Sequence, residues 1–191
     1  NVKLSLDTTT DRLKRAVLLK NGVNRNILAC DSRGRFILAE PCSLLFCSAL
    51  PTVNMTFIPD AIENLSARSQ MNILGSATVK FNIVGVKLCI ENERHLVVWG
   101  VSEALVAILS PHCDSIERSI DLKIDLDRNE GEADFLIKCE WIPGSQFTVA
   151  VVCGTAIKVF DIRQTENNRA APSVSYSLAQ DAIVRNVAFV P

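Results

Sequence analysis

One pattern recurs along this chain at a nearly constant interval, and it restricts the possible folds more than any other feature. An apolar, β-branched run meets a tight polar turn, a second apolar run follows, then another turn and a third run. The clearest copy is Leu136–Ile142, the Pro143-Gly144 turn, Thr148–Cys153, a break at Gly154, and Ala156–Ile162. Val174–Leu178 reads as a fourth strand after a polar loop. Short apolar runs bounded by Gly, Pro, Asn and Asp are strand signals, and glycine supplies the positive φ of tight turns. Gly144 and Gly154 are both expected to use that freedom, with Pro143 presetting the turn before Gly144.

The same beats return twice upstream. Ile27–Cys30, a turn at Asp31–Gly34, Arg35–Glu40, a turn at Pro41-Cys42 and Ser43–Leu50 make one set, with Met71–Leu74 as its outer strand. Phe81–Ile90, a turn at Glu91–Arg94, His95–Gly100 and Ala104–Ser110 make another, with Ser119–Ile124 outside. Val184–Pro191 restates the run that ends at Trp141-Ile142-Pro143. First strands thus start near residues 27, 83, 137 and 185.

Four strands in meander order, repeated about every 40–50 residues, are the sequence form of a propeller blade. A lone four-stranded sheet leaves both faces wet, and stacking sheets side by side buries them. The expected fold is all-β: an incomplete WD40-like β-propeller across 1–191, with about three four-stranded antiparallel blades and the start of another. Blade A spans about 27–75, blade B about 81–124, blade C about 135–178, and the next begins at 184–191. Inserts fall at 51–70 and 125–134. Propellers use about 4–8 blades, so this is an open arc, and the chain, starting at Asn1 and stopping at Pro191 within the pattern, reads as a fragment. Thr8–Leu19 and Pro59–Met71, the latter with Asp60 as cap and Ala61, Ile62 and Leu65 as stripe, carry weak helical patterns.

Composition excludes several classes. Of 191 residues, 48% are hydrophobic and 21% charged, with a net charge of −1. That supports a core, and the absence of a basic field argues against duplex DNA or anionic lipid as partner. The longest apolar run, Phe147 to Cys153, is interrupted by Thr148 and is far short of a membrane span. No signal-peptide pattern is visible. Seven cysteines, with no C-x-x-C pair, sit mostly inside apolar runs, as reduced cytosolic cysteines do.

Each residue with chemical potential has a structural rival reading. Cys42, Cys47, His112 and Cys113 are the best zinc set, but C-x4-C beside one His-Cys dipeptide lacks the paired spacing of zinc sites. Cys113 with His112 is the best nucleophile–base pair, yet adjacent residues of an extended chain point apart; His95 is the other histidine and opens a strand. Trp99 and Trp141 read as core or interface packing rather than ligand platforms. Trp141 shares a face with Cys139 and Pro143; Lys138, Glu140 and Ile142 share the other. Asp161 reads as a turn cap that accepts backbone N–H groups. Arg33 and Arg35 resemble superficially the Arg pair of phosphoinositide-binding propellers, but Gly34 separates them, and they read as a solvated hairpin turn. Asn54 and Asn64 match glycosylation acceptors by coincidence. Asp125, Asp127, Glu130, Glu132 and Asp134 make a solvated acidic loop without the full Ca²⁺-loop pattern.

The stretch EWIPGSQFTVAVVCGTAIKVFDI, Glu140–Ile162, resembles a WD40 repeat whose Trp-Asp pair has become Phe160-Asp161. More narrowly, WIPGSQ (Trp141–Gln146) followed by IKVFDI (Ile157–Ile162) resembles a segment of the giant calossin-type E3 ubiquitin ligases, the animal pushover proteins and plant BIG. HLVVWGVSEALVAIL and GRFILAEPCSLLFCSAL look like upstream blades of the same region, and the likeness is strongest over Phe81–Pro191. The resemblance implies an architectural part of a very large ligase. Such parents recognise N-degron substrates through a zinc-binding UBR box. They transfer ubiquitin through a separate zinc-containing module, and are associated with calmodulin and a partner ligase. No catalytic, cofactor-binding or metal residue carries over to this chain. The expected role is a cytoplasmic, non-catalytic scaffold that contacts protein partners and other regions of its parent, with no nucleic acid and no membrane insertion. Two rivals are a WD40-like adaptor in trafficking or tethering, and an enzyme using Cys113 and His112.

Overall fold

The computed structural model describes residues 27–49, 71–126, 128–129, 132–133, 135–177, 184 and 187–189. Among them there is no helix. Three sheets follow one another along the chain. The first holds β1 (Leu28–Cys30), β2 (Arg35–Ala39), β3 (Ser43–Ala49) and β4 (Met71–Thr78), side by side in that order. The second holds β5 (Gly85–Leu88), β6 (His95–Trp99), β7 (Ala104–Leu109) and β8 (Ile116–Leu122). A two-stranded hairpin, β9 (Arg128–Asn129) and β10 (Glu132–Ala133), precedes the third sheet. That sheet holds β11 (Leu136–Trp141), β12 (Thr148–Cys153), β13 (Ala156–Asp161) and β16 (Val174–Ser177). All neighbours within these four-stranded units run antiparallel.

Period-two alternation explains how the sheets stack. In a strand, successive side chains point to opposite faces. On the second sheet, Val97, Trp99, Ala104, Val106, Ile120 and Leu122 pack into one core with Trp141, Val149, Val151 and Phe160 of the third sheet. The intervening residues Leu96, Val98, Leu105, Ala107 and Leu109 pack into another core with Ile37, Leu44 and Phe46 of the first. Every residue of β6 is buried, because both faces of its sheet are covered. At about 25 cal/mol per Å² of apolar surface removed from water, this two-sided burial is the main force holding the arc together. The result is an open series of propeller blades, inner strands β1, β5 and β11 to one side and outer strands β4, β8 and β16 to the other.

The strands lie close to where the apolar runs placed them, with several corrections. β5 is limited to Gly85–Leu88 rather than the whole of Phe81–Ile90, since Val79 N and Ile83 N bond back to Cys42 O and Pro41 O in the turn between β2 and β3. β4 runs on to Thr78 and β8 starts at Ile116. Gly144 has φ 76° as expected, and so does Gly34. Gly154 does not take positive φ: its N–H donates to Phe135 O and its carbonyl accepts from Val184 N, so it is tied between two neighbouring segments. The acidic stretch within 125–134 is not a plain loop but carries the β9–β10 hairpin.

The polar loop between β13 and β16 also contains structure. β14 (Thr165–Glu166) and β15 (Arg169–Ala170) form a hairpin, and β15 adds in parallel to β8 of the preceding sheet. Thr8–Leu19, the second candidate helix up to residue 70, Asn54 and Asn64, and the whole of the 51–70 insert lie outside the described residues, while Met71 opens β4.

A candidate interaction surface

All turns between first and second strands lie at one end of the blades, and each is closed the same way. Asp31 Oδ1 accepts Arg33 N at 2.9 Å, Asn92 Oδ1 accepts Arg94 N at 3.1 Å, and Ser145 Oγ accepts Phe147 N at 3.3 Å. These are the i→i+2 bonds that Asp, Asn and Ser side chains make in turns. The turn of the second sheet then reaches both neighbours with a carboxylate. Glu93 Oε1 accepts Ser32 N at 2.6 Å, and Glu91 Oε1 accepts Gly144 N at 2.7 Å. Charge-assisted bonds of this kind exceed neutral ones in strength, so the middle turn clasps the blade on each side.

His95 sits at the centre of the seam between the second and third sheets. It opens β6, is buried, and stacks on Trp141 with ring centroids 6.1 Å apart. Its Nδ1 lies 2.7 Å from Gln146 O. A carbonyl only accepts, so Nδ1 carries the proton. Burial holds the imidazole pKa below its ordinary value, opposed by the Gln146 carbonyl and aided by the nearby Arg94 charge. Phe147 tilts against His95 at 5.8 Å, and the Arg163 guanidinium covers Phe147 at 5.1 Å. Asp161 holds Arg163 through two side-chain bonds and accepts its backbone N–H at 3.0 Å, the turn-capping role read from sequence. Trp141 donates its indole N–H to Lys87 O at 3.0 Å, and Lys87 pairs with Glu140. Trp99 is also buried in this core.

The sequence-derived metal and nucleophile sets do not assemble. Cys42 is exposed at the opposite end, where its thiol meets Asn82 Oδ1. Cys47 is buried in β3, and Cys113 packs in the core between the first two sheets. No group of three His, Cys, Asp or Glu side chains able to hold a metal exists among the described residues. Cys113 is buried, which pushes its thiol pKa up, while His112 is exposed and offers its backbone carbonyl to Arg35. A raised thiol pKa is the reverse of what an activated nucleophile needs. Arg35 is also bound to Asp31, so Arg33 and Arg35 do not present a free pair.

The outer halves of the sheets diverge, and the two gaps this leaves are filled differently. Between the second and third sheets the β14–β15 hairpin fills the gap. Asp121 N and Lys123 N donate to Asn168 O and Ala170 O at 2.9 and 2.8 Å, and Ala170 is buried in the core. Between the first and second sheets the described residues leave a groove of about 690 Å³. Its floor is apolar, with Ala77, Phe81 and Leu105, and its rim is charged, with Lys80, Glu103 and Lys123. An apolar floor with a few polar groups at the edge suits a protein segment. The sequence marked Trp141 as core or interface packing but flagged neither the groove nor the hairpin. The groove depends on the angle between sheets, and the seam on residues as far apart in sequence as His95 and Trp141.

Comparison with known proteins follows the same lines. No family model matches the chain. It is 29% identical over 183 residues to a probable E3 ubiquitin-protein ligase of Dictyostelium discoideum, covering 95% of this chain and 3% of that protein. It is 23% identical over 185 residues to the auxin transport protein BIG of Oryza sativa subsp. japonica, covering 96% of this chain and 4% of that one. The chain therefore spans only a small part of these relatives. Among solved structures, Saccharomyces cerevisiae Sqt1 superposes with a TM-score of 0.53 at 9% identity, over 83% of this chain and 37% of that one. A chain of the Chaetomium thermophilum Nup82 NTD–Nup159 tail–Nup145N APD complex gives a TM-score of 0.54 at 13% identity, over 88% and 35%. The shared fold is that of a WD40-like β-propeller. Among the described residues no helix is long and apolar enough to cross a membrane.

Proposed function

We propose that this chain is a non-catalytic scaffold segment of a giant E3 ubiquitin ligase of the N-degron, UBR type, acting in the cytoplasm by holding distant modules and protein partners in fixed relation. One observation carries the reading: the middle sheet is buried on both faces by its neighbours, which makes the segment a stiff stack whose chemistry is packing. The relatives named as ligase and BIG align over nearly its whole length yet are many times longer, which supports placing ubiquitin transfer in modules elsewhere in a parent. The groove between the first and second sheets is the surface for a protein partner; calmodulin and a partner ligase act through the parent.

The test compares the chain alone with its parent. Supplied with E1, E2 and ubiquitin, the isolated chain forms no conjugates. In the parent, Val97→Glu, which charges a buried position, lowers substrate ubiquitination while substrate-independent ubiquitin transfer by the same variant parent stays intact. If Cys113→Ala alone abolished transfer in a folded parent, the enzyme reading would replace this one.

A further inference from the structure

In each seam the connection between the third and fourth strands of the later sheet reaches the outer strand of the earlier one, and the two connections differ in reach. In the third sheet it runs over residues 162–173 and carries β14 and β15. β15 lies in parallel against the last two residues of β8, Arg169 opposite Asp121 and Ala170 opposite Leu122. In the second sheet the connection is only residues 110–115. It presses on β4 at Gly75, where a methyl group would stand 2.1 Å from Asp114 O, and then turns into β8.

The last two residues of β4, Ala77 and Thr78, therefore have no counterpart of β15 among the described residues, and both line the groove. Val79 N donates to Cys42 O. Every second residue of an antiparallel strand turns its N–H and C=O to the same neighbour. Ala77 thus faces β3, and Thr78 turns its backbone N–H and C=O to the outer edge. Beside that edge lies the apolar floor of Ala77, Phe81 and Leu105. The charges around it do not balance: Lys80, Lys123 and Arg169 stand against Glu103 and Asp121, and Glu103 already accepts Ser102 Oγ at 2.9 Å. None of the three cations joins an ion pair among the described residues.

We propose that the outer edge of β4 takes a strand from an acidic protein segment, seated as β15 is seated on β8. The segment runs parallel to β4, with small apolar side chains toward Ala77 and Leu105 and carboxylates toward Lys80, Lys123 and Arg169. This rests on the reading of the groove as a partner surface and names what that partner presents. Strand addition at a sheet edge draws affinity from main-chain bonds and specificity from alternate side chains, so the Thr78 backbone and the floor beside it act as one site. A second copy of this chain fits less well, because its exposed outer strand β16 reads Val-Ser-Tyr-Ser and offers no carboxylate.

The probe is a capped, fluorescein-labelled peptide of alternating glutamate and valine, titrated with the chain and read by anisotropy. It is expected to bind about tenfold more tightly than the same peptide with lysine for glutamate, and to lose about tenfold in a Lys80→Glu, Lys123→Glu variant whose urea midpoint is unchanged. Methylating the backbone nitrogens of one alternate set of peptide residues should abolish binding, and methylating the other set should spare it, since only one set faces β4. The Thr78 amide should gain protection from hydrogen exchange on binding, while Val79, already bonded to Cys42, should not change. Equal affinity for the glutamate and lysine peptides, or for the two methylated sets, overturns the proposal. So does binding that appears only when residues 50–70 are replaced by a short glycine–serine linker, which would make this chain's own connection the occupant. Thr78→Trp, which obstructs the groove from an exposed position, separates this inference from the reading beneath it. If no probe binds and Thr78→Trp in the parent still lowers substrate ubiquitination, the acidic strand is wrong and the partner surface stands. If the probe binds and Thr78→Trp changes nothing in the parent, the edge site stands and the scaffold reading of the groove falls.

Discussion

Trp99 lies so close to Gly85 that a methyl group on Gly85 would stand 2.1 Å from Cζ2 of the indole. The two residues are register partners across β5 and β6. The missing side chain is thus the space that the ring occupies, and shape is what fixes it, since the buried indole N–H meets no acceptor among the described residues. Gly85→Ala is expected to destabilise by about 1–3 kcal/mol, the usual cost of overpacking a filled core. Urea unfolding measures it; an unchanged midpoint would show that the ring is free to move aside.

Trp141 tests the same seam from the other side. Its ring joins the core between the second and third sheets and its N–H is bonded to Lys87 O. Trp141→Ala should cost about 3–5 kcal/mol. Trp141→Phe keeps most of the ring and loses the bond, so its cost should be nearer 1 kcal/mol, the usual net value of one hydrogen bond. Equal effects of the two changes in denaturant titrations would mean that burial of the indole is not what matters.

The all-β class and the strands were legible because period-two alternation and turn residues are local. Val97 and Trp99 against Leu96 and Val98 already show two apolar faces in a string of five residues. Asp161 was legible for the same reason, since a turn cap acts on a backbone N–H two residues away. What could not be read depends on contacts between sheets. Nothing near His95 says that its ring will lie on Trp141, 46 positions later. The TENNRA stretch looks like loop, because a two-residue strand gains its stability from β8, not from its own sequence. Gly154 was given positive φ from its neighbours alone, whereas bonds to Phe135 and Val184 decide its conformation.

His95 gives the seam a pH dependence. Its pKa is lowered in the folded chain, chiefly by burial, from an ordinary value of 6.5. Above that ordinary value both folded and unfolded chains hold it neutral, and it contributes no slope. As the pH falls below it, the unfolded chain takes up the proton first, so stability declines until the lowered folded pKa is passed. The urea midpoint should therefore drop between about pH 7.5 and pH 5.5, roughly one unit either side of the ordinary imidazole value. His95→Phe retains a ring against Trp141 and should remove most of that drop. A slope that persists unchanged in the variant would assign it to other groups.

The β14–β15 hairpin should come loose without unfolding the sheets it joins. Its turn holds Asn167 and Asn168 at φ 51° and 58°, a region that costs a β-branched residue about 1–2 kcal/mol. Arg118 anchors it through Asn168 Oδ1 at 2.9 Å and Thr165 Oγ1 at 3.2 Å. Replacing both asparagines by valine, or burying a charge with Ala170→Asp, should detach it; Asn168→Gly should not. The amides of Asp121 and Lys123 report the event directly, because they donate to Asn168 O and Ala170 O. Hydrogen exchange at these two amides should accelerate in the detaching variants, while the amides shared by β6 and β7 keep their protection. Loss of protection across the whole second sheet would instead make the hairpin part of one cooperative unit with it.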